Sequence, residues 1–172
     1  MMVKVIVASK YGSTREIGEA IASELRAAGH EARVSEAADV EELEPVDAVV
    51  IGSAIYMGRW LKPARKLLHA RGEELGRLPL WLFSSGPSGE PPLPKEAEPT
   101  EVAAAAETLG AREHRVFPGK LSRAVLNRRE RLIIRALRAS EGDFRDWDSI
   151  RGWAKSIAGQ LEELEGGAGH DA

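Results

Sequence analysis

The sequence predicts an α/β fold: a doubly wound, five-stranded parallel sheet with helices on both faces. Three observations carry that reading. Short β-branched apolar runs, "VKVIVA" (3–8) and "DAVVIGSA" (47–54), have the form of central strands buried on both faces. Segments of helical spacing alternate with these runs, which implies parallel pairing through right-handed crossovers. At 172 residues, with 30% charged and 43% hydrophobic, the chain suits one globular domain able to bury a substantial core.

The elements follow in order. After "VKVIVA" and the turn "SKYGST", Ile17, Ala20, Ile21, Leu25 and Ala28 recur at helical spacing, and Gly29 ends the run. "HEARVSEA" (30–37) is a shorter, more polar strand, expected at or near an edge. "DAVVIGSA" is the third strand, and helical spacing resumes from about Trp60 to Leu75. "LPLWLFSS" (78–85) is the fourth, with Trp81 and Phe83 assigned to the core. "PTEVAAAAETLG" (99–110) reads as a helix with Pro99 near its start and Gly110 at its end. "REHRVFPG" (112–119) supplies the fifth strand. The last helix starts near Trp147, with Ile150, Trp153, Ile157, Leu161 and Leu164 on one face. A single domain is thus expected over 1–164, with an insertion at about 119–146 and a disordered tail at 165–172.

Composition removes several kinds of chemistry. There is no cysteine, so thiolate nucleophiles, disulfides and iron–sulfur clusters are excluded, and the four histidines are too scattered in sequence for a local metal motif. Redox chemistry would need a bound organic cofactor. No run of about 18 apolar residues occurs, and the N-terminus enters a strand pattern without a leader-like segment, so a cytoplasmic location is expected.

In doubly wound sheets ligands bind beyond the carboxyl ends of the strands where the winding reverses. That rule selects "SKYGST", "GSAIYMGRW" and "SSGPSGEPP". In the first, Ser13 and Glu16 form the S-x-x-E pattern of a capping box. One cap does not require Ser9, Tyr11, Ser13 and Thr14 together around Gly12, however. Gly12 permits close backbone approach to an anion, and the helix dipole and the hydroxyls complete a phosphate cradle. The loop has no G-x-x-x-x-G-K-[ST] and no G-x-G-x-x-G, and the first and third strands do not end in aspartate. A hydroxyl-rich loop without a cationic clamp suits a phosphate monoester such as that of FMN.

"SKYGST" resembles the phosphate loop of flavodoxins, and "IGSAIYMGRW" and "LFSSGP" sit where that family places its two isoalloxazine loops. The stretch "VFPGKL…RRERLIIRALRASEGDFRDWDSIRGWA" (116–154) resembles the C-terminal part of the menaquinone-dependent protoporphyrinogen oxidase group, which carries a long insertion between the fifth strand and the last helix. The resemblance implies a flavodoxin-like sheet of order 2-1-3-4-5. By it, Ser9, Tyr11, Gly12, Ser13 and Thr14 would hold the FMN phosphate. Ser53, Ala54, Ile55, Tyr56, Met57 and Gly58 would run along the ring, and Ser84, Ser85 and Gly86 along its other side. The alternative for the second loop is an ordinary strand-to-helix turn in which Tyr56 and Trp60 are packing residues. Electron carriers of the family usually sandwich the ring between aromatics from both loops. Here "SSGPSGEPPLPKEAEP" contains none, leaving one ring face open to a flat substrate, and its prolines suit a lid or a substrate wall.

The insertion is strongly basic. Between Lys120 and Ser140, Lys120, Arg123, Arg128, Arg129, Arg131, Arg135 and Arg138 face one acid, Glu130, a local +6 in a chain of net charge −3, so the remainder carries −9. From Leu121 to Leu137 apolar residues recur at helical spacing among the arginines. The plain reading is a surface helix packed on the sheet with its arginines solvated. Two others are a basic helix on an anionic membrane, where a lipid quinone is reached, and arginines gripping the carboxylates of an acidic substrate. A smaller basic stripe, Arg59, Lys62, Lys66 and His69, begins beside the second loop.

The expectation is an FMN-dependent oxidoreductase resembling that oxidase group. It would pass electrons from a flat reduced substrate, such as a porphyrinogen, through FMN to a quinone or other acceptor. Peripheral membrane contact through 120–140 and a homodimer are compatible with it, and no nucleic-acid partner or metal is expected. The alternative is a flavodoxin-type electron carrier without a substrate of its own.

Overall fold

A computed structural model of the chain describes residues 1–43, 45–86, 100–136 and 141–168. Strands β1 (Met2–Ala8), β2 (Glu31–Glu36), β3 (Ala48–Tyr56), a two-residue β4 (Arg59–Trp60), β5 (Leu80–Ser85) and β6 (Glu113–Phe117) alternate with α1 (Ser13–Ala27), α2 (Lys62–Ala70), the single turn α3 (Gly72–Leu75) and α4 (Thr100–Thr108). The sheet runs β2-β1-β3-β5-β6 with every pairing along that path parallel. This is the expected five-strand order, with β2 at an edge and β4 added antiparallel to the end of β3.

The apolar runs hide a period of two that composition does not reveal. Val3, Val5 and Val7 of β1, Val50 of β3, and Trp81 and Phe83 of β5 face a layer formed by α1 and the last helix α6 (Trp147–Ala168). Ile6, Ala8, Val49, Ile51, Leu80 and Leu82 face the opposite layer of α2, α3 and α4. Burial on both faces is what makes the runs uniformly hydrophobic. Phe83, Phe117 and Trp153 form an aromatic cluster with centroids 5.6–6.2 Å apart. The Phe83 ring lies across Gly52, where an added Cβ would meet it at 2.0 Å.

Boundaries differ from the sequence reading where local chemistry overrides periodicity. α1 closes in a Schellman arrangement, with Gly29 N–H on Arg26 O (3.0 Å) and His30 N–H on Leu25 O (3.1 Å). The helix expected from Trp60 to Leu75 begins at Lys62, because β3 continues to Tyr56 and folds back through Met57 and Gly58 into β4. Both turn residues have positive φ, 50° and 73°, as a tight hairpin of matching twist requires. α2 then breaks at Arg71, beside the weak helix former Gly72. α6 runs to Ala168, into the segment whose composition reads as a tail, and Glu165 there meets the N-terminal ammonium at 2.8 Å.

The insertion is not one amphipathic helix from 121 to 137. It opens with β7 (Lys120–Leu121), passes through a 3-10 turn at Arg123–Val125, forms α5 (Arg128–Ala136), and is closed by β8 (Gly142–Asp143) pairing antiparallel with β7. Ser122 and Leu126 are extended, which interrupts the helical repeat. Leu132 and Val125, read as apolar helix positions, are 67% and 51% exposed. Leu137 and Arg138, Pro99, and the proline-rich stretch after Gly86 lie outside the described residues. Among the described residues no helix is long and apolar enough to cross a membrane.

Candidate functional site

The sheet register brings the three selected loops to one edge. Ala8 pairs with Ser53, and Ser53 with Ser84, so the segments after β1, near the end of β3 and at the end of β5 start side by side. Parallel strands leaving the sheet at one level do this without help from the loops.

In the first loop Gly12 has φ 86° and directly precedes α1, where it serves as the N-cap. Its N–H donates to Ser9 Oγ at 3.0 Å, and its carbonyl accepts Glu16 N–H at 2.9 Å. The capping box expected from Ser13 and Glu16 does not form. The cap lies one residue earlier, without a side-chain hydrogen bond, and the Glu16 carboxylate turns to Arg145 instead. Ser13 Oγ is consequently buried without a hydrogen-bond partner among the described residues, next to Thr14, which is 1% exposed. The first N–H groups of α1 have no intrahelical acceptor, by helix geometry alone.

The second loop is the β3–β4 hairpin. Ser53 is buried, accepting Leu61 N–H at 3.0 Å and donating to Ala54 O at 2.9 Å. Ala54 and Ile55 are half-buried, whereas Tyr56, Met57 and Gly58 project from the sheet edge into solvent. Trp60 is a packing residue, 1% exposed, with its indole N–H on Ser84 Oγ at 2.7 Å. In the third segment Ser84 also meets His114 Nε2 at 2.9 Å, Ser85 is buried, and Gly86 N–H donates to Phe117 O at 2.9 Å. The lid expected from its continuation lies outside the described residues.

Two residues that the sequence reading did not single out organise the site. Glu130, the lone acid between Lys120 and Ser140, is 3% exposed and receives both the Lys10 ammonium and the Tyr11 hydroxyl. It also accepts Asn127 N–H, while Asn127 Oδ1 accepts Glu130 N–H, both at 2.9 Å, a reciprocal cap for α5. Lys10 and Tyr11, with help from Asn127 N–H, hold the Glu130 carboxyl down to about 2 against the cost of burial. The same pairing raises Lys10, and burial followed by the bond to Glu130 raises Tyr11. Lys10 lies 4.6 Å from the Tyr56 ring centroid and 5.4 Å from that of Tyr11, so one ammonium links the first loop, the hairpin and the insertion. The loop therefore does contain a cation, already paired.

Arg145 is the second. Its side chain is buried, with Asp143 at 2.5 and 2.8 Å, Glu16 at 2.6 Å, Ser13 O at 3.3 Å and the Trp147 ring centroid at 4.5 Å. The "N-x-x-E" at 127–130 and an arginine flanked by two acids, "DFRDW", were the available signals for these two residues.

A family model described as Flavodoxin domain matches residues 4–148. The chain belongs to the flavodoxin domain family. The cofactor of such a domain is FMN. Solved structures agree in fold. A flavodoxin from the domain Archaea is 20% identical, with a TM-score of 0.62 over 94% of this chain and 99% of that one. A flavodoxin variant from Pseudomonas aeruginosa is 19% identical, with a TM-score of 0.61 over 94% and 99%. Rubredoxin oxygen:oxidoreductase from the anaerobe Desulfovibrio gigas is 17% identical, with a TM-score of 0.62 over 94% of this chain and 36% of that one. No curated protein matches the sequence.

The flavodoxin domain's residues fit the phosphate end of FMN. Ser13 Oγ is a buried donor lacking an acceptor, and Gly12 presents open backbone with nothing within 4 Å of an added Cβ. The first turn of α1 adds N–H groups and the positive end of its dipole.

Proposed function

We propose that this flavodoxin domain is an FMN-dependent oxidoreductase that carries electrons from a flat reduced substrate to a quinone, as the menaquinone-dependent protoporphyrinogen oxidase group does. Ser9, Tyr11, Gly12, Ser13 and Thr14 hold the phosphate. Residues 53–58 on one side and Ser84, Ser85 and Gly86 on the other would flank the ring. Bound FMN would supply the two-electron redox chemistry. The substrate loses a hydride and a proton, and the quinone gains two electrons and two protons.

The observation that carries this reading is the asymmetry between the two ring loops. The hairpin offers Tyr56, 39% exposed, while the β5 segment ends in Ser-Ser-Gly and its continuation to Thr100 contains no aromatic residue. A ring face without an aromatic cover suits a planar substrate. Support also comes from the exposed Arg123, Arg128, Arg129, Arg131 and Arg135 of the insertion, which suit substrate carboxylates or the anionic membrane surface where a lipid quinone resides.

A second reading, a flavodoxin-type electron carrier, is favoured by length: chain and archaeal flavodoxin cover one another at 94% and 99%. The test is steady-state oxidation of a porphyrinogen with a menaquinone analogue, using FMN-loaded protein. Turnover at a rate proportional to FMN content is expected. Loaded protein that shows no turnover, yet shuttles electrons between a reductase and an acceptor protein, overturns the oxidoreductase reading in favour of the carrier.

A further inference from the structure

Glu130 is the one acid between Lys120 and Ser140, and it is buried while Arg128, Arg129 and Arg131 around it are exposed. A carboxylate turned inward from so basic a helix needs more than local capping to explain it, since burial without partners is costly. The cap uses Oε2, through Asn127 N–H. Oε1 is committed elsewhere, to the ammonium of Lys10, and Tyr11 joins at Oε2. Both partners belong to the loop that fits the FMN phosphate, and Lys10 is that loop's only charged residue.

We propose that Glu130 is a specificity-determining residue of the flavin site: its carboxylate cancels the charge of Lys10 and leaves the FMN phosphate to the neutral donors of residues 9–14. The proposal rests on the FMN reading of that loop. The Lys10 side chain, 40% exposed on a flexible stem, is within the loop's reach once released. Removing the carboxylate therefore frees a cation beside a dianion and tightens FMN. Removing the ammonium alone strands a buried negative charge there and weakens FMN. Riboflavin carries the same ring without the phosphate, so an effect passed through the Tyr56 ring, 4.6 Å from Lys10, falls on both flavins and the charge effect on FMN alone.

The experiment titrates flavin-free protein with FMN and with riboflavin, by flavin fluorescence, for wild type, Glu130→Gln, Lys10→Met and the double variant. Expected is about tenfold tighter FMN in Glu130→Gln, about tenfold weaker FMN in Lys10→Met, and a double variant within about threefold of wild type. The ratio of FMN to riboflavin affinity carries these changes. Wild-type affinity for FMN, which needs no variant to fold, changes little between about 50 and 300 mM salt because the loop carries no net charge. A riboflavin change that follows the FMN change, a double variant as weak as Lys10→Met, or a steep salt dependence in the wild type each overturns the proposal alone. Wild type that binds neither flavin overturns the FMN reading and the proposal together.

Discussion

Arg145, two residues past the closing strand of the insertion, and Glu16, in the first turn of α1, meet at 2.6 Å, 129 positions apart in sequence. The same guanidinium reaches Ser13 O and Asp143, so the strand that ends the insertion is fastened to the phosphate loop. Asp143 holds the guanidinium's proton more firmly still, and Arg145 in turn keeps the Asp143 carboxyl low. Arg145→Met keeps the stem over Trp147 and removes the fork. Thermal or denaturant unfolding is expected to show a loss of about 2 kcal/mol, with FMN affinity falling as well. Arg145→Lys is not expected to restore both, because one ammonium cannot span three acceptors on two elements.

Ser13 separates binding from folding. Its hydroxyl is buried and has no partner among the described residues, so Ser13→Ala is expected to leave the flavin-free fold unchanged or more stable by about 1 kcal/mol. FMN affinity, measured by fluorescence titration, is expected to fall about tenfold as a phosphate hydrogen bond is lost. Equal FMN binding by wild type and variant would remove Ser13 from the cradle.

Glu130 sets an acid limit on stability. Its carboxyl sits at about 2 in the folded chain against 4.5 unfolded, a depressed value. The contribution is full above 4.5 and is lost as pH falls from there towards 2, since the unfolded chain binds the proton first. Urea unfolding at a series of pH values should show that decline, and Glu130→Gln should flatten it. Parallel curves for the two proteins would contradict the pairing.

Trp60 and Ser84 share a buried bond of 2.7 Å that ties the hairpin to β5. Ser84→Ala leaves the indole N–H without its acceptor and is expected to cost about 2 kcal/mol, whereas Trp60→Phe with Ser84→Ala together cost less than the sum of the two single changes. A double-mutant cycle by chemical denaturation measures the coupling.

Phe83 lies at the centre of the aromatic cluster and fills the space over Gly52. Phe83→Ala is expected to cost about 3 to 5 kcal/mol, read from the denaturation midpoint. Gly52→Ala is expected to be at least as damaging, because the ring cannot yield without displacing Phe117 and Trp153.

The order of strands and helices, the assignment of Trp81 and Phe83 to the core, and the grouping of three loops at one sheet edge were legible in the sequence. They follow from short-range pattern: β-branched runs, helical spacing and the topological rule for parallel sheets. The hairpin at Met57 and Gly58 was not legible, because its turn carries no Asn-Gly or Asp-Gly signal and the positive φ of Met57 is imposed by the pairing of β3 with β4. The Ser13–Glu16 motif pointed to a capping box that Arg145, far along the chain, takes apart by claiming Glu16.

Local chemistry in residues 9–14 thus pointed to an anion, and the alternation of elements pointed to the sheet edge where those residues stand. Only the tertiary structure decided the charge of that site. Whether Lys10 is a free cation or half of a neutral pair depends on Glu130, 120 residues away, and a contact of that range has no signature in local spacing. Burial fixes it: a carboxylate removed from water at the edge of the phosphate loop must take up the cation beside it.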